Sequence, residues 1–188
     1  MSKKIFNKIG PVALAAVLAA PLAANAESDF SNGAGPLSAT ARVDFQVSIP
    51  KFLSLRVGSA NATIDTVIFD VNALDVGNNS PVSGTGGDQG AGQVTASVRG
   101  NSANVQLEAT TTPLTNGVET LNWNQISTAT SNALLTPPTL SNGPSTSQVL
   151  ASNRIVNQTA TWTYRYVNAA DVAPGTYTGR VTYTATMP

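Results

Sequence analysis

The chain has 188 residues, with 10 lysines and arginines, 10 aspartates and glutamates, and neither cysteine nor histidine. These counts exclude a disulfide framework, a zinc finger, an iron–sulfur cluster, and catalysis by a Cys/His or Ser-His-Asp set. Charged residues make up 11% of the chain and the formal net charge is zero, so we expect no nucleic-acid partner. A hydrophobic content of 41% favours a folded domain over a disordered chain.

Residues 1–26 have the three parts of a secretory signal peptide. A basic region precedes the short apolar run of residues 9–20 (IGPVALAAVLAA), and Ala24-Asn25-Ala26 supplies a small-x-small cleavage site. The apolar run is shorter than the about 20 residues that a membrane span needs. We therefore predict cleaved export to the periplasm, the cell surface or the extracellular medium, with no membrane span in the mature chain.

Residues 37–49 (LSATARVDFQVSI) alternate without a break between apolar odd positions and polar even positions. This period of two predicts a β-strand with one buried side and one solvent-facing side. Pro50 removes a main-chain donor and ends or bends the strand, and the alternation then resumes up to Val57. Residues 27–36 form a tether before the strand.

The other end of the chain alternates in the same way, over residues 156–166 and 176–187. Pro174-Gly175 marks a turn between these two strands, so we predict that they form an antiparallel hairpin. Weaker strands are predicted between the two ends, at residues 66–71, 93–98, 104–109 and 118–126 and around Val149.

This pattern predicts an all-β protein and one domain over residues 37–188. No sustained helical periodicity follows residue 26, and Gly, Asn and Pro punctuate the strands. About seven to nine short strands in such a chain are typical of a Greek-key antiparallel β-sandwich, immunoglobulin-like or pilin-like.

Three aspartates recur every five residues, at Asp65, Asp70 and Asp75. On a strand this spacing alternates between faces, so we predict solvated carboxylates and no metal site. The loop of residues 84–90 (GTGGDQG) has the composition of either a flexible hairpin loop or a single calcium-binding loop, and both interpretations stay open.

The two tryptophans lead to different predictions. Trp162 shares a strand face with Tyr164 and Tyr166 and is predicted to lie in the core. Trp123 is the candidate aromatic residue for stacking on a ligand. Glu108 and Glu119, the internal glutamates, are predicted to be exposed polar residues rather than an acid–base pair, so we expect neither enzymatic activity nor a cofactor.

Both ends of the mature chain resemble subunits of archaic chaperone–usher pili and the related spore coat U domain. The resemblance rests on ATARVDFQVSIPKFLSLRVG (residues 39–58), on Val67-Ile68-Phe69-Asp70, and on APGTYTGRVTYTATMP (residues 173–188). It implies a sandwich that lacks one strand, which the N-terminal strand of the next subunit supplies by donor-strand exchange.

That resemblance assigns roles to individual residues. The side chains inserted into the neighbouring subunit would be Val43, Phe45, Val47 and Ile49. A periplasmic chaperone would bind the C-terminal strand, which carries Gly175, Tyr177, Val181, Tyr183 and Met187. Other copies of the same chain would be the partners in the fibre. The alternative is that residues 37–49 are simply the first strand of a complete sandwich.

A second resemblance is to the WxL-type cell-wall-binding domain, carried by Trp162-Thr163-Tyr164 and by GTYTGRVTYTAT (residues 175–186). It implies a monomeric binding module rather than a building block. The sequence thus predicts an exported, non-enzymatic structural protein, either a fimbrial or biofilm-matrix subunit with an adhesive role. The alternative is a secreted module that binds the cell envelope or a carbohydrate.

Overall fold

A computed structural model describes residues 28–169 and 171–188. The predicted signal peptide, residues 1–26, lies outside the described residues. The chain divides into two units, Met1–Ser48 and Ile49–Pro188. In the part of the chain that the structure describes, no helix has the length and apolar character needed to cross a bilayer.

In the first unit, residues 28–48 belong to no strand. Val43, Phe45 and Val47 are 73%, 89% and 82% exposed, and Ile49, which opens the second unit, is 77% exposed. The prediction of a strand with a buried side over residues 37–49 is therefore wrong for the single chain, as is the alternative of a first strand in a complete sandwich. A strand needs a neighbouring edge for its main-chain hydrogen bonds, and no ladder of the described structure includes these residues.

The second unit is all-β, and its strands pair in antiparallel fashion, as predicted. A single 3-10 turn covers Trp123–Gln125, and the described residues hold no α-helix. The twelve strands of residues 28–169 and 171–188 exceed the predicted seven to nine because five of them have only two residues. They are β1 (Leu53–Val57), β2 (Val67–Ile68), β3 (Val82–Ser83), β4 (Thr85–Gly86), β5 (Gln93–Gly100), β6 (Val105–Thr111), β7 (Leu114–Thr115), β8 (Thr120–Leu121), β9 (Ile126–Thr130), β10 (Ser145–Val149), β11 (Val156–Tyr166) and β12 (Val181–Thr186).

Two larger sheets carry the fold. One has five strands, with β1, β5 and β11 side by side and β3 and β9 also paired with β11, and the other has the order β10-β6-β12. The predicted hairpin between the last two strands is wrong, because β11 lies in the first sheet whereas β12 pairs with β6 in the second. Residues 167–180 carry the chain between the sheets instead of turning back within one.

The core lies between these sheets and follows from the alternation of their strands. Along β11, Val156, Ala160 and Trp162 are 1%, 4% and 0% exposed. The indole N–H of Trp162 donates to the Leu135 carbonyl at 2.9 Å. Its ring centroid lies 5.2 Å from that of Tyr183 on β12, which joins the two sheets.

Both sheets share the same two ends. At the end that we call the first end, β5 and β12 finish, and β11 and β6 begin. There, a Cβ added to Gly100 would lie 3.0 Å from the Met187 sulfur. At the opposite, second end, β12 begins and β11 finishes, and Glu119 bonds to the connection between them, at the Ala173 N–H.

Candidate functional site

The candidate site is the outer edge of β12. This strand pairs with β6 along its whole length, from Val181 opposite Thr111 to Thr186 opposite Gln106. Its other edge has no ladder partner among the described residues, since β12 is the last strand of its sheet. An unpaired edge presents main-chain N–H and C=O groups that another strand can bind.

Apolar side chains on the inner face of this edge are only partly buried. Val181, Tyr183, Ala185 and Met187 alternate with exposed residues and pack against the core. On β1, the edge strand of the other sheet, Leu55 and Val57 are half-buried in the same way. The two edge strands contact each other without a ladder between them. We call this side of the unit, between β1 and β12, the open side.

At the first end, hydrogen bonds hold the open side together. The Lys51 ammonium donates to the Met187 carbonyl at 3.2 Å and also to the Pro188 carbonyl. Asn101 accepts from the Phe52 N–H at 2.9 Å and donates to the Pro50 carbonyl at 2.8 Å. The Asn101 bonds join the end of β5 to the segment before β1, within one sheet. A strand entering between β1 and β12 therefore has to separate side chains and the Lys51 bonds, but no β-ladder.

Two tyrosines lie beneath the open side. The hydroxyls of Tyr164 and Tyr183 are 2.9 Å apart, so one donates to the other across the sheets. Burial raises the pKa of Tyr183 to about 12, although the bond from Tyr164 opposes this. Burial also raises the pKa of Tyr164. Both phenols are therefore neutral near neutral pH, and they stabilise the position of β12.

Only part of the predicted C-terminal strand lies on this edge. Val181 and Tyr183 are in β12 and Met187 follows directly, but Gly175 and Tyr177 precede the strand. The Tyr177 hydroxyl lies 3.2 Å from a carboxylate oxygen of Glu119, in the connection at the second end. The alternation over residues 176–187 thus overestimates the strand, because Thr178 forms only an isolated bridge with Thr115 of β7 and Tyr177 bonds through its side chain to Glu119.

Trp123 does not present a face to a ligand, and its prediction as a stacking residue is wrong. The side chain is 6% exposed, and its indole N–H donates to the Thr112 carbonyl at 2.7 Å. A Cβ added to Gly179 would lie 2.7 Å from the indole carbon Cζ2, so the backbone of the connection packs directly on the ring. Trp123 therefore stabilises the second end.

The loop of residues 84–90 is fixed by its single aspartate. Asp88 accepts the Thr95 N–H at 2.7 Å and pairs with the Arg56 guanidinium at 3.3 Å, and its side chain is 7% exposed. Burial opposes its ionisation, but the bonds from Thr95 and Gln89 and the Arg56 charge outweigh it, so the pKa of Asp88 is lowered. The carboxylate is thus already bound by protein groups.

Asp65, Asp70 and Asp75 do not meet. Asp65 accepts the Ser59 hydroxyl at 2.8 Å, whereas the Asp75 carboxylate accepts from the Asn78 side chain at 3.1 Å. Within residues 28–169 and 171–188, no three acidic side chains are grouped as a metal site requires.

Sequence reasoning missed Lys51 and Asn101, because a lone cation and a lone amide carry no periodic signal. It also missed the Tyr164–Tyr183 bond, which depends on the two strands lying in different sheets. No protein-family model matches this chain. A search of curated proteins likewise finds no significant match to it.

Proposed function

We propose that the chain is a subunit of an extracellular fibre, in which residues 43–49 of one copy complete the three-stranded sheet of another. One observation carries this proposal. The same chain has an exposed alternating segment that belongs to no strand, and an edge strand whose apolar side is only half-buried. The segment lacks a neighbouring strand, and the edge of β12 lacks both a ladder partner and cover for its apolar side chains. Strand addition would supply both, because it combines main-chain hydrogen bonds with alternate side chains in an apolar groove.

The two partners have matching lengths. Val43, Phe45, Val47 and Ile49 are four apolar residues at alternate positions, and so are the four that line the edge, Val181, Tyr183, Ala185 and Met187. Each set spans about 20 Å at about 3.4 Å per residue. All four side chains therefore find a counterpart along the edge.

An antiparallel arrangement fits the sizes of these side chains. It pairs Ile49 with Val181 and Phe45 with Ala185, so that the largest inserted side chain faces the smallest one on the edge. Antiparallel ladders are also slightly more stable per residue than parallel ones. Burial of each inserted side chain contributes about 1.5–3 kcal/mol.

Chain connectivity favours insertion into another copy. Four residues after Ile49, at Leu53, β1 begins at the first end, where β12 finishes. Within one chain, residues 43–49 could therefore enter the open side only parallel to β12, with Ile49 nearest Met187. A second copy has no such restraint and can provide the antiparallel strand.

Before assembly, an exposed strand edge is an aggregation hazard. We propose that a periplasmic chaperone occupies the β12 edge until the next copy arrives. The predicted signal peptide agrees with assembly outside the cytoplasm.

The experiment compares Phe45→Arg with Gln46→Arg in the full, exported chain. Both substitutions add one cation to exposed neighbouring positions, but only Phe45 is on the apolar side of the alternation. We expect the unsubstituted chain and Gln46→Arg to form SDS-resistant, heat-labile ladders, and Phe45→Arg to remain monomeric by light scattering.

Ladders from Phe45→Arg equal to those of the unsubstituted chain would overturn the proposed insertion. An unsubstituted chain that stays monomeric and unfolds cooperatively under all conditions would point instead to a monomeric binding module.

A further inference from the structure

We infer that successive copies in the fibre also bind end to end through opposite charges, the first end of the incoming copy meeting the second end of the receiving copy. This inference rests on the proposed function and adds an interface separate from the inserted strand. It follows from an uneven distribution of charge along the second unit.

The first end is basic. Lys51, Arg99 and Arg154 are exposed there, and the segments that form this end, residues 49–54, 99–107, 148–157 and 186–188, contain no aspartate or glutamate. Neither Arg99 nor Arg154 pairs with a carboxylate among the described residues. The side chains of this end therefore carry a formal charge of +3.

The second end is acidic. Arg56, Arg165 and Arg180 lie at this end or in the strands that finish there, and Arg56 is paired with Asp88. Six acidic side chains lie at the same end: Asp65, Asp70, Asp75, Asp88, Glu119 and Asp171. With the three cations they give this end a formal charge of −3. Four of the six, at 70, 75, 119 and 171, are exposed.

The proposed antiparallel insertion brings these ends together. It places Ile49 of the incoming copy beside Val181, at the second end of the receiving copy. Ile49 is separated from Leu53, the first residue of β1, by four peptide steps, which reach at most about 14 Å. This reach is shorter than the Debye length of about 30 Å at about 0.01 M salt but longer than the about 8 Å at physiological ionic strength. Charges at the two ends therefore attract each other strongly at low salt and only weakly at physiological salt.

The opposite orientation is unfavourable for the same reason. A parallel strand would place the first ends of both copies against each other, so that +3 would meet +3. The charges thus favour head-to-tail addition and steer the incoming copy before the strand enters.

Exposed apolar residues accompany the charges at both ends. Phe52, Leu150 and Ile155 are 48%, 55% and 57% exposed at the first end, and Ile64 and Val118 are 67% and 90% exposed at the second. Specific protein interfaces usually contain both apolar and charged or polar side chains, and both ends supply the two kinds.

The test compares two double variants with the same change in net charge. Arg99→Glu with Arg154→Glu reverses charge at the first end, whereas Arg165→Glu with Arg180→Glu makes the second end more acidic. The rate of assembly is followed by light scattering from about 0.01 M to about 1 M salt, over which the Debye length falls from about 30 Å to about 3 Å.

We expect assembly of the unsubstituted chain to slow as salt rises. At low salt the first-end variant should assemble at least about tenfold more slowly, and the second-end variant at least as fast as the unsubstituted chain. Asp70→Lys with Asp171→Lys in the receiving copy should restore the rate with the first-end variant. Thermal melts establish that each variant is folded. The salt series of the unsubstituted chain tests the charge attraction even if a variant does not fold.

Equal rates for all chains at every salt concentration, with SDS-resistant ladders still forming, would overturn the end-to-end contact and leave strand insertion intact. Equal slowing by both double variants would overturn it as well, because only net charge would then matter. Absence of ladders from the unsubstituted chain would overturn the proposed function and this inference together.

Discussion

Residues 37–49 and strand β11 have the same alternating pattern and opposite environments. The apolar residues of β11 are buried, with Trp162 at 0% exposure, whereas Phe45 in the N-terminal segment is 89% exposed. The difference is that β11 has β5 along one edge and β9 along the other, and residues 37–49 are in no ladder. Alternation therefore encodes the capacity to pair, and the available edges decide whether pairing occurs.

Strand β12 is intermediate between these two regions. It has one ladder partner, β6, and its inner residues are half-buried. Burial thus increases with the number of neighbours, from none to one to two. In the proposed fibre, insertion would give both β12 and residues 43–49 an additional neighbour and convert them to the environment of β11.

The largest expected effect on stability separates the buried Trp162 of β11 from the exposed Phe45 of the N-terminal segment. Trp162→Ala should lower the free energy of unfolding by about 3–5 kcal/mol, because it empties a fully buried site. It also removes one of the two donors to the Leu135 carbonyl and leaves only the Thr130 hydroxyl. Phe45→Ala, the matched control on the same pattern, should change the stability of the monomer by less than about 0.5 kcal/mol. Urea denaturation measures both. A loss of several kcal/mol for Phe45→Ala would mean that Phe45 is already packed in the single chain.

A peptide of residues 37–49 should give β12 a second ladder partner and bury its inner side chains, as those of β11 are buried. The acceptor is the Phe45→Arg chain, which keeps an intact open side. At a peptide concentration of about 100 times Kd, its unfolding free energy should rise by about 2.7 kcal/mol. The same peptide with arginine in place of Phe45 is the control. Equal stabilisation by both peptides would contradict side-chain insertion.

The smallest expected effect concerns the bond that holds β12 to β11. Tyr183→Phe removes the 2.9 Å hydroxyl contact with Tyr164 and should cost about 1–2 kcal/mol. Because burial raises the pKa of Tyr183 to about 12 from about 10 in the unfolded chain, the folded state holds its proton more tightly. The contribution of the Tyr183 proton to the unfolding free energy should therefore be fully present below about pH 10 and be lost as the pH rises through about 12.

Urea midpoints measured across this pH range, with and without Tyr183→Phe, provide the test. The decline should be shallower in the variant, in which only Tyr164 of the pair remains to ionise. An identical decline in both chains would assign it to other groups.

The sequence predicts elements well where the pattern and the partner lie in the same sheet. The predicted strands at residues 93–98 and 104–109 are confirmed as β5 and β6, and Trp162 is in the core as predicted. Prediction fails where topology decides. The spacing of β11 and β12 is equally consistent with a hairpin and with a crossing between sheets, and only the pairing of β12 with β6 distinguishes them.

The candidate site shows the same limit. Alternation identifies Val181, Tyr183 and Met187 as an apolar row, but it does not reveal that one edge of their strand is unpaired. The burial of Trp123 depends on Gly179 and Thr112, which are distant from it in the sequence. The charge difference between the ends arises only when residues 51, 99 and 154 are brought together by the fold.

The bonds of Lys51 to the carbonyls of Met187 and Pro188 have a kinetic consequence. They join β1 and β12 at one extremity of the open side, opposite the extremity beside Val181. In the proposed fibre, an arriving strand would displace β1 progressively from the Val181 side and break the Lys51 bonds last. Their rupture would then add to the activation barrier of the final step, so a partly inserted strand would remain free to dissociate and a fully inserted one would be retained.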